Sequence, residues 1–361
     1  YSPWRPSAGV TESGLTIKDL ENSDLTYEKK HELNIGADLG FLDNRINLTV
    51  DWYKRDNFDL IGRVMTQGIG GQIQKYGNVA TMKSRGIEFS LSTKNIKTKD
   101  FSWTTDFIYS HMKNEVTKFN TSTRAFNLVS GIGFSREGYP VNSLFSYDFR
   151  GLNEDGVPTF INEAGVLTST DINFQETERF DNLVYSGPSE PTDVGSFGNI
   201  FQYKGLRLNV FITYSFGNVV RLDPVFSSIY NDLDAMPREF RNRWMTPGDE
   251  RYTDVPAIVS SRQVRNDSKL SYAYNAYNYS TARIAKGDFI RMKEISLSYD
   301  FPQSVSSKLR MSGLSLKFQA TNPFLIYSDK KLQGQDPEFF NTGGVAVPMP
   351  KQFTLTLRVS F

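Results

Sequence analysis

The 361-residue sequence has no cysteine and only two histidines, His31 and His111. The first absence excludes a disulfide framework and a thiolate metal site. The histidines have no acidic or thiol ligand at metal-binding spacing, so both read as strand residues in aromatic surroundings. The formal net charge is only +1, which leaves no basic stripe for a nucleic-acid partner. No run approaches the roughly 18 apolar residues of a membrane-spanning helix, and the mean hydropathy is −0.43. That leaves open a membrane barrel, whose strands need only every second residue apolar. No heptad repeat, low-complexity segment or interdomain linker is visible. Nucleophile elbow, phosphate loop and metal-hydrolase motif are all missing, so no catalytic residue, cofactor or metal is assigned. Gly68-Ile69-Gly70-Gly71 lacks the dinucleotide spacing and reads as an external loop. Asn153-Glu154-Asp155-Gly156 has incomplete calcium-loop spacing and reads as an Asp-Gly turn.

What is present is aromatic side chains, 14% of the residues and mostly Phe and Tyr, which favours strands. The last residues alternate strictly. Phe353, Leu355, Leu357, Val359 and Phe361 share one face, and Gln352, Thr354, Thr356, Arg358 and Ser360 the other. A strand of a soluble sandwich shows the same period. A chain ending on a strand-final Phe, with both faces unbroken, suits the closing strand of an outer-membrane barrel, its apolar face toward lipid. The period recurs in 31–41, 45–54, 101–109, 206–216, 289–299 and 314–321. Charges inside these strands (Asp38, Asp51, Asp106, Lys317, Arg358) are expected on the lumen side. Very short turns at 42–45, 95–100 and 203–205 alternate with long polar connections at 59–76, 118–139, 218–283 and 327–350. Outer-membrane barrels show this contrast between periplasmic turns and external loops.

Strand parity from the two ends agrees only if an even number of strands lies between Phe119 and Asp193. Two are placed there, around 143–150 and after Val157. The sum is about eleven strands, short of an even-stranded closed barrel, so further strands are expected outside this chain. Residues 1–27 read as the tail of an external loop, 28–325 as strands with long external loops, and 351–361 as the closing strand. Residues 303–310 read as a short periplasmic helix. The chain opens Tyr1-Ser2-Pro3-Trp4 with no initiator Met or leader and reads as a portion of a longer polypeptide.

Several stretches together resemble the C-terminal barrel half of the SusC-like (SusC/RagA-type) TonB-dependent outer-membrane transporters. They are EKKHELNIGADLGFLDNRINLTVDWY at 28–53, GNVATMKSRGIE at 77–88 and GLNEDGVPTF at 151–160. Gly187-Pro188-Ser189-Glu190-Pro191, Arg243-Trp244-Met245-Thr246-Pro247 and GDFIRMKEISLSYDFP at 287–302 follow in family order, and then Asn322-Pro323-Phe324, Asp336-Pro337-Glu338 and Pro348-Met349-Pro350. Ala80 and Ser84-Arg85 stand where the family usually has Gly and Asn-Lys. The resemblance implies an all-β fold, this chain supplying the C-terminal half of a roughly 22-stranded transmembrane antiparallel barrel. It implies an upstream plug and a TonB box outside this chain, a SusD-like surface lipoprotein as lid, oligosaccharide or peptide cargo, and a place in outer-membrane lipid of a Gram-negative cell.

For cargo or lid contact, the richest segment is the longest connection, with Tyr272, Tyr274, Asn275, Tyr277, Asn278 and Tyr279. Tyr and Asn give stiff amphipathic faces and adaptable hydrogen bonds. The bland alternative is a loop stacked on its neighbours. Arg241, Arg243 and Trp244 lie on a short helical element. The arginines either meet a partner's carboxylates or pair internally with Asp249 and Glu250. Trp52 and Trp103 fit an interface girdle. Two functions follow: a wall of a TonB-dependent nutrient importer, or a SusC-like barrel used as a non-transport scaffold in a larger secretion or barrel-assembly complex.

Overall fold

Nine alternating segments pair edge to edge in one antiparallel sheet: β1 (Lys29–Phe41), β2 (Ile46–Met65), β3 (Gln74–Lys97), β4 (Phe101–Phe119), β5 (Asp193–Tyr203), β6 (Leu206–Phe216), β7 (Phe289–Asp300), β8 (Gly313–Ser328) and β9 (Gln352–Ser360). Their spatial order is their chain order, from β1 at one edge to β9 at the other. The computed structural model describes residues 2–4, 14–16, 21–66, 68, 73–133, 136–225, 238–339 and 349–361. Most of the expected external tail, the glycines Gly70 and Gly71, and Pro348 lie outside those residues.

The register shows why alternation becomes a wall. Leu39, Leu48, Leu91, Phe107, Phe197, Ile212, Met292 and Phe324 are successive cross-strand partners across eight strands. Ala320 faces Phe353, Phe318 faces Leu355 and Leu316 faces Leu357, which carries the apolar face into β9. These partners form one apolar face, and many of them are exposed. Asp38, Asp51, Asp106, Lys317 and Arg358 alternate with them and so lie on the other face. A sheet apolar on one side and wet on the other matches a barrel wall seen from lipid and from lumen. Phe353, Leu355 and Leu357 are each more than 60% exposed on the apolar side.

The strand count needs one correction. The sheet holds nine strands, not about eleven, because β5 pairs directly with β4 along its full length. The two extra strands do form, but elsewhere. Ser143–Tyr147 pairs with Leu183–Pro188, and Phe149–Leu152, Pro158–Ile161 and Leu167–Thr168 make a separate three-stranded sheet. Zero intervening wall strands is still an even number, so the parity argument survives. The helix after Phe301-Pro302 is present at Gln303–Ser306, continued by a 3-10 turn at Ser307–Leu309.

Among the described residues of the long connections, 125–133, 136–188, 219–225 and 238–286 pack into an external domain with its own core of Leu128, Val129, Phe145, Tyr147, Phe160, Phe174, Leu183, Ala276 and Tyr277, among others. This domain leans on the lumen side of the wall. Asn114, on the lumen face of β4, accepts from the Val141 amide at 2.8 Å, and Val116 exchanges backbone hydrogen bonds with Gly138 and Tyr139.

Candidate functional site

The Tyr-rich segment is a helix, Lys269–Asn278, rather than an open loop. Its period decides the fate of each residue. Ala273, Tyr274, Ala276 and Tyr277 recur at helical spacing and are buried, while Tyr272 and Asn275 point outward. Tyr274 donates its hydroxyl to the Ala257 carbonyl at 2.8 Å, and Asn278 accepts from the Val225 amide at 3.2 Å. Tyr277 sits in the core against Phe149, and burial pushes its phenol pKa up. Tyr279 is half-buried beneath the Arg221 guanidinium, 5.4 Å from its ring centre. Of the six residues, three are thus enclosed in the domain, and Tyr272 and Asn275 are exposed. The bland alternative wins for Tyr274, Tyr277 and Asn278 because apolar helix faces bury.

The second element is the 3-10 helix Arg238–Asn242 with Arg243 and Trp244 after it. Trp244 donates from its indole to Glu250 at 3.2 Å and lies over Gly156, where an added Cβ would stand 2.5 Å from the ring. Gly156 also has φ of +72° and closes the Asn153 turn, so glycine is required there twice over. The expected pairing of Arg241 and Arg243 with Asp249 and Glu250 does not form among the described residues. Those carboxylates are taken by local donors instead. The amides of Thr246 and Met245 hold Asp249 below its usual carboxylate range. Glu250's own amide, the Trp244 indole and the Gly248 amide do the same for Glu250. Arg243 lies over Phe240, and Arg241 is exposed.

Two arginines that sequence reading missed organise the interior. Arg283 is buried and pairs with Glu239 and with the Asp223 carbonyl, beside a cavity of about 80 Å³ lined also by Arg238 and Lys331. Arg221 reaches the carbonyls of Phe145 at 2.8 Å and Val129 at 3.1 Å, so one cation ties three chain segments together. Burial lowers its pKa to about 10. No motif announces either residue; the only signal is a cation within otherwise apolar stretches. A second cavity, about 170 Å³, opens where the wall meets the domain, among His111, Asn114, Tyr185, Pro188 and Glu190. His111 itself meets Asp193 at 2.8 Å, and Tyr109 donates to the same carboxylate oxygen at 2.7 Å. Among the described residues no three His, Asp or Glu converge as a metal site.

Both tryptophans expected in an interface girdle lie on the outward face: Trp103 stacks on Phe201 at 5.6 Å toward the short turns, and Trp52 pairs with Ile35 in the middle of β1. Met245, Tyr252, Ile258 and Tyr272 of the domain are exposed, as are Arg241, Arg251, Arg262, Arg265 and Lys269.

The family model described as TonB dependent receptor-like, beta-barrel matches residues 3–322. TonB-dependent receptor P3 of Formosa agariphila is 26% identical over 344 residues, 90% of this chain and 32% of that protein. TonB-dependent receptor SusC of Bacteroides thetaiotaomicron is 27% identical over 356 residues, 94% of this chain and 32% of that protein. The solved RagAB peptide transporter matches with a TM-score of 0.76 at 25% identity, over 100% of this chain and 38% of that chain. The chain thus spans about a third of the length of the curated relatives it matches. Its two-faced sheet and family match agree: the chain belongs to the TonB-dependent receptor-like β-barrel family, is SusC-like, and lies in the outer membrane of a Gram-negative bacterium.

Proposed function

We propose that the chain forms the wall and external vestibule of a TonB-dependent importer of oligosaccharide or peptide, closed from outside by a SusD-like lipoprotein. One observation carries the reading: the described parts of the long connections form a packed domain on the lumen side of the wall, with aromatic and cationic side chains left exposed. A vestibule needs this rigidity to hold cargo above a lumen, and a lid needs a fixed surface to seat on. The likeness to SusC and to the RagAB peptide transporter supports the same assignment. Coupling to TonB, and a plug to be moved by it, belong to parts of the full protein beyond this third. Cargo meets the inner surface of the domain, and the outer surface around Tyr272, Tyr252 and Met245 takes the lid.

The test is a gentle-detergent isolation of the native full-length protein with the copurifying chains identified by mass spectrometry. A single surface lipoprotein is expected, lost at least several-fold from the Met245→Asp/Tyr252→Asp variant while the heat-modifiable barrel is retained. Secretion or barrel-assembly subunits in place of a lipoprotein would overturn the importer reading in favour of a scaffold.

A further inference from the structure

Three cations stand side by side on the outward face of the wall. Lys54 of β2 is the direct cross-strand partner of Arg85 of β3, and Arg85 of Lys113 of β4. All three are exposed, and none has an ion-pair or hydrogen-bond partner among the described residues. Directly opposed side chains have Cβ atoms about 5 Å apart, and like charges so placed repel. An anionic group lying across the row would relieve that repulsion.

Its position says what that is. The three share a face with Trp52, Ile87, Phe89 and Phe107, which is the lipid side. The rung immediately inward runs Ile35, Trp52, Ile87 and His111, with Ile35 60% and Trp52 38% exposed. Tryptophan marks the border of the hydrocarbon, so the next rung outward lies at headgroup depth. The length agrees. Lys54 is eight residues beyond Ile46, where β2 begins: about 26 Å of strand, or roughly 20 Å of height at a tilt of about 40°, so that its long stem covers the remainder of the ~25 Å apolar band. The end is the external one, since the short turns at 42–45 and 98–100 lie opposite.

The neighbouring carboxylates do not cancel the row. Asp193 is engaged by His111, Tyr109 and Thr192, and Glu190, which lines one cavity with Lys113, accepts from the Asn142 side-chain amide at 2.9 Å. The rung further out sets Asp56 and Glu115 against Lys83 between them, opposite His31. Asp56 turns one oxygen into a buried position with no hydrogen-bond partner. Long Lys and Arg stems lie along apolar surface while their heads reach the interface.

We propose that Lys54, Arg85 and Lys113 form a binding site for phosphate-bearing lipid headgroups of the external leaflet, anchoring this arc of the barrel to its lipid. The site is independent of the cargo and lid assignment above. Arg85 is central and its planar fork suits two phosphate oxygens at once.

The test uses the full-length native protein in mild detergent, with phosphorylated lipid per protein measured by mass spectrometry. The K54Q/R85Q/K113Q variant should lose at least three-quarters of the copurifying phosphorylated lipid, and Arg85→Gln alone a substantial part, with Arg85→Lys intermediate. Substituting Lys97 and Lys204, at the opposite end of the wall, should change nothing. Should the triple variant fail to show a heat-modifiable barrel, Arg85→Gln alone decides. Unchanged lipid in the charge variants overturns the proposal. So does displacement of all bound lipid by millimolar inorganic phosphate, which marks a simple anion site. So does an Arg85→Cys to Arg85→Cys crosslink in native membranes, which puts a second copy over the rung.

Discussion

Arg291 leaves β7 on the lumen side with its side chain only 3% exposed, and Asp336 and Glu338 supply the counter-charge from the connection after β8. The geometry of β7 explains how it gets there. A register shift between Met292 and Glu294 turns the strand end so that Arg291 faces Leu325 while Met292 faces Phe324. A buried ion pair adds little net stability, but removing one partner strands a charge, at about 3–5 kcal/mol. Asp336→Asn is therefore expected to loosen the connection after β8, read as faster limited proteolysis near residues 330–340 with the barrel intact. Glu338→Gln should do less, because Glu338 is 28% exposed and solvent takes part of the load. Equal sensitivity of the two variants would argue that Arg291 is not held as described. The Asp336-Pro337-Glu338 stretch was visible in the sequence as a family feature; its partner was not, since the two residues lie 45 apart in the chain.

Among elements, the wall strands were the most legible, because a side chain that alternates sides every residue writes its environment directly into the sequence. The two strands placed between β4 and β5 show the limit of that signal: alternation identifies a strand but not the sheet it joins. The Tyr-rich helix shows another. Its helical spacing of Ala273, Tyr274, Ala276 and Tyr277 was present, yet the composition of Tyr and Asn pointed to a loop. The carboxylate-capped segment at 244–250 has a consequence of its own. Backbone amides hold Asp249 and Glu250 below their ordinary values of 3.8 and 4.5. A carboxyl whose folded-state pKa is depressed stabilises the fold fully above its unfolded value, and that contribution disappears as pH falls through the lower folded value. Acidification below about pH 4 is thus expected to open this segment. The readout is the fluorescence difference between the native protein and its Trp244→Phe variant, followed from pH 7 to 2.5. Asp249→Asn/Glu250→Gln should already show the acid signal at pH 7 and stay flat. A wild-type signal that is flat across the range would sink the idea.

On the scale of the whole molecule, the question is which face of the arc meets lipid. Two independent features agree on it. The cross-strand row from Leu39 to Phe324 is apolar across eight strands, and the external domain hydrogen-bonds to the opposite face through Asn114 and Val116. Closing strand β9 gives the cleanest test, since its side chains alternate without a bulge against β8. Leu355 pairs with Phe318 in the middle of the apolar band, so Leu355→Arg carries a charge to mid-bilayer depth, at a cost of about 2–4 kcal/mol. The matched control needs a lumen position with a neutral neighbour. Thr356 faces Lys317, which would add like-charge repulsion, whereas Thr354 faces Gln319. Thr354→Arg is therefore the better partner variant and should cost well under 1 kcal/mol. The measurement is the fraction of full-length protein that runs as a folded, heat-modifiable barrel after assembly into lipid. Leu355→Arg should reduce that fraction sharply while Thr354→Arg stays near wild type. Equal losses would mean that β9 does not present its apolar row to the bilayer, and the outward placement of Trp52 and of the Lys54–Arg85–Lys113 rung, fixed by the same register, would fall with it.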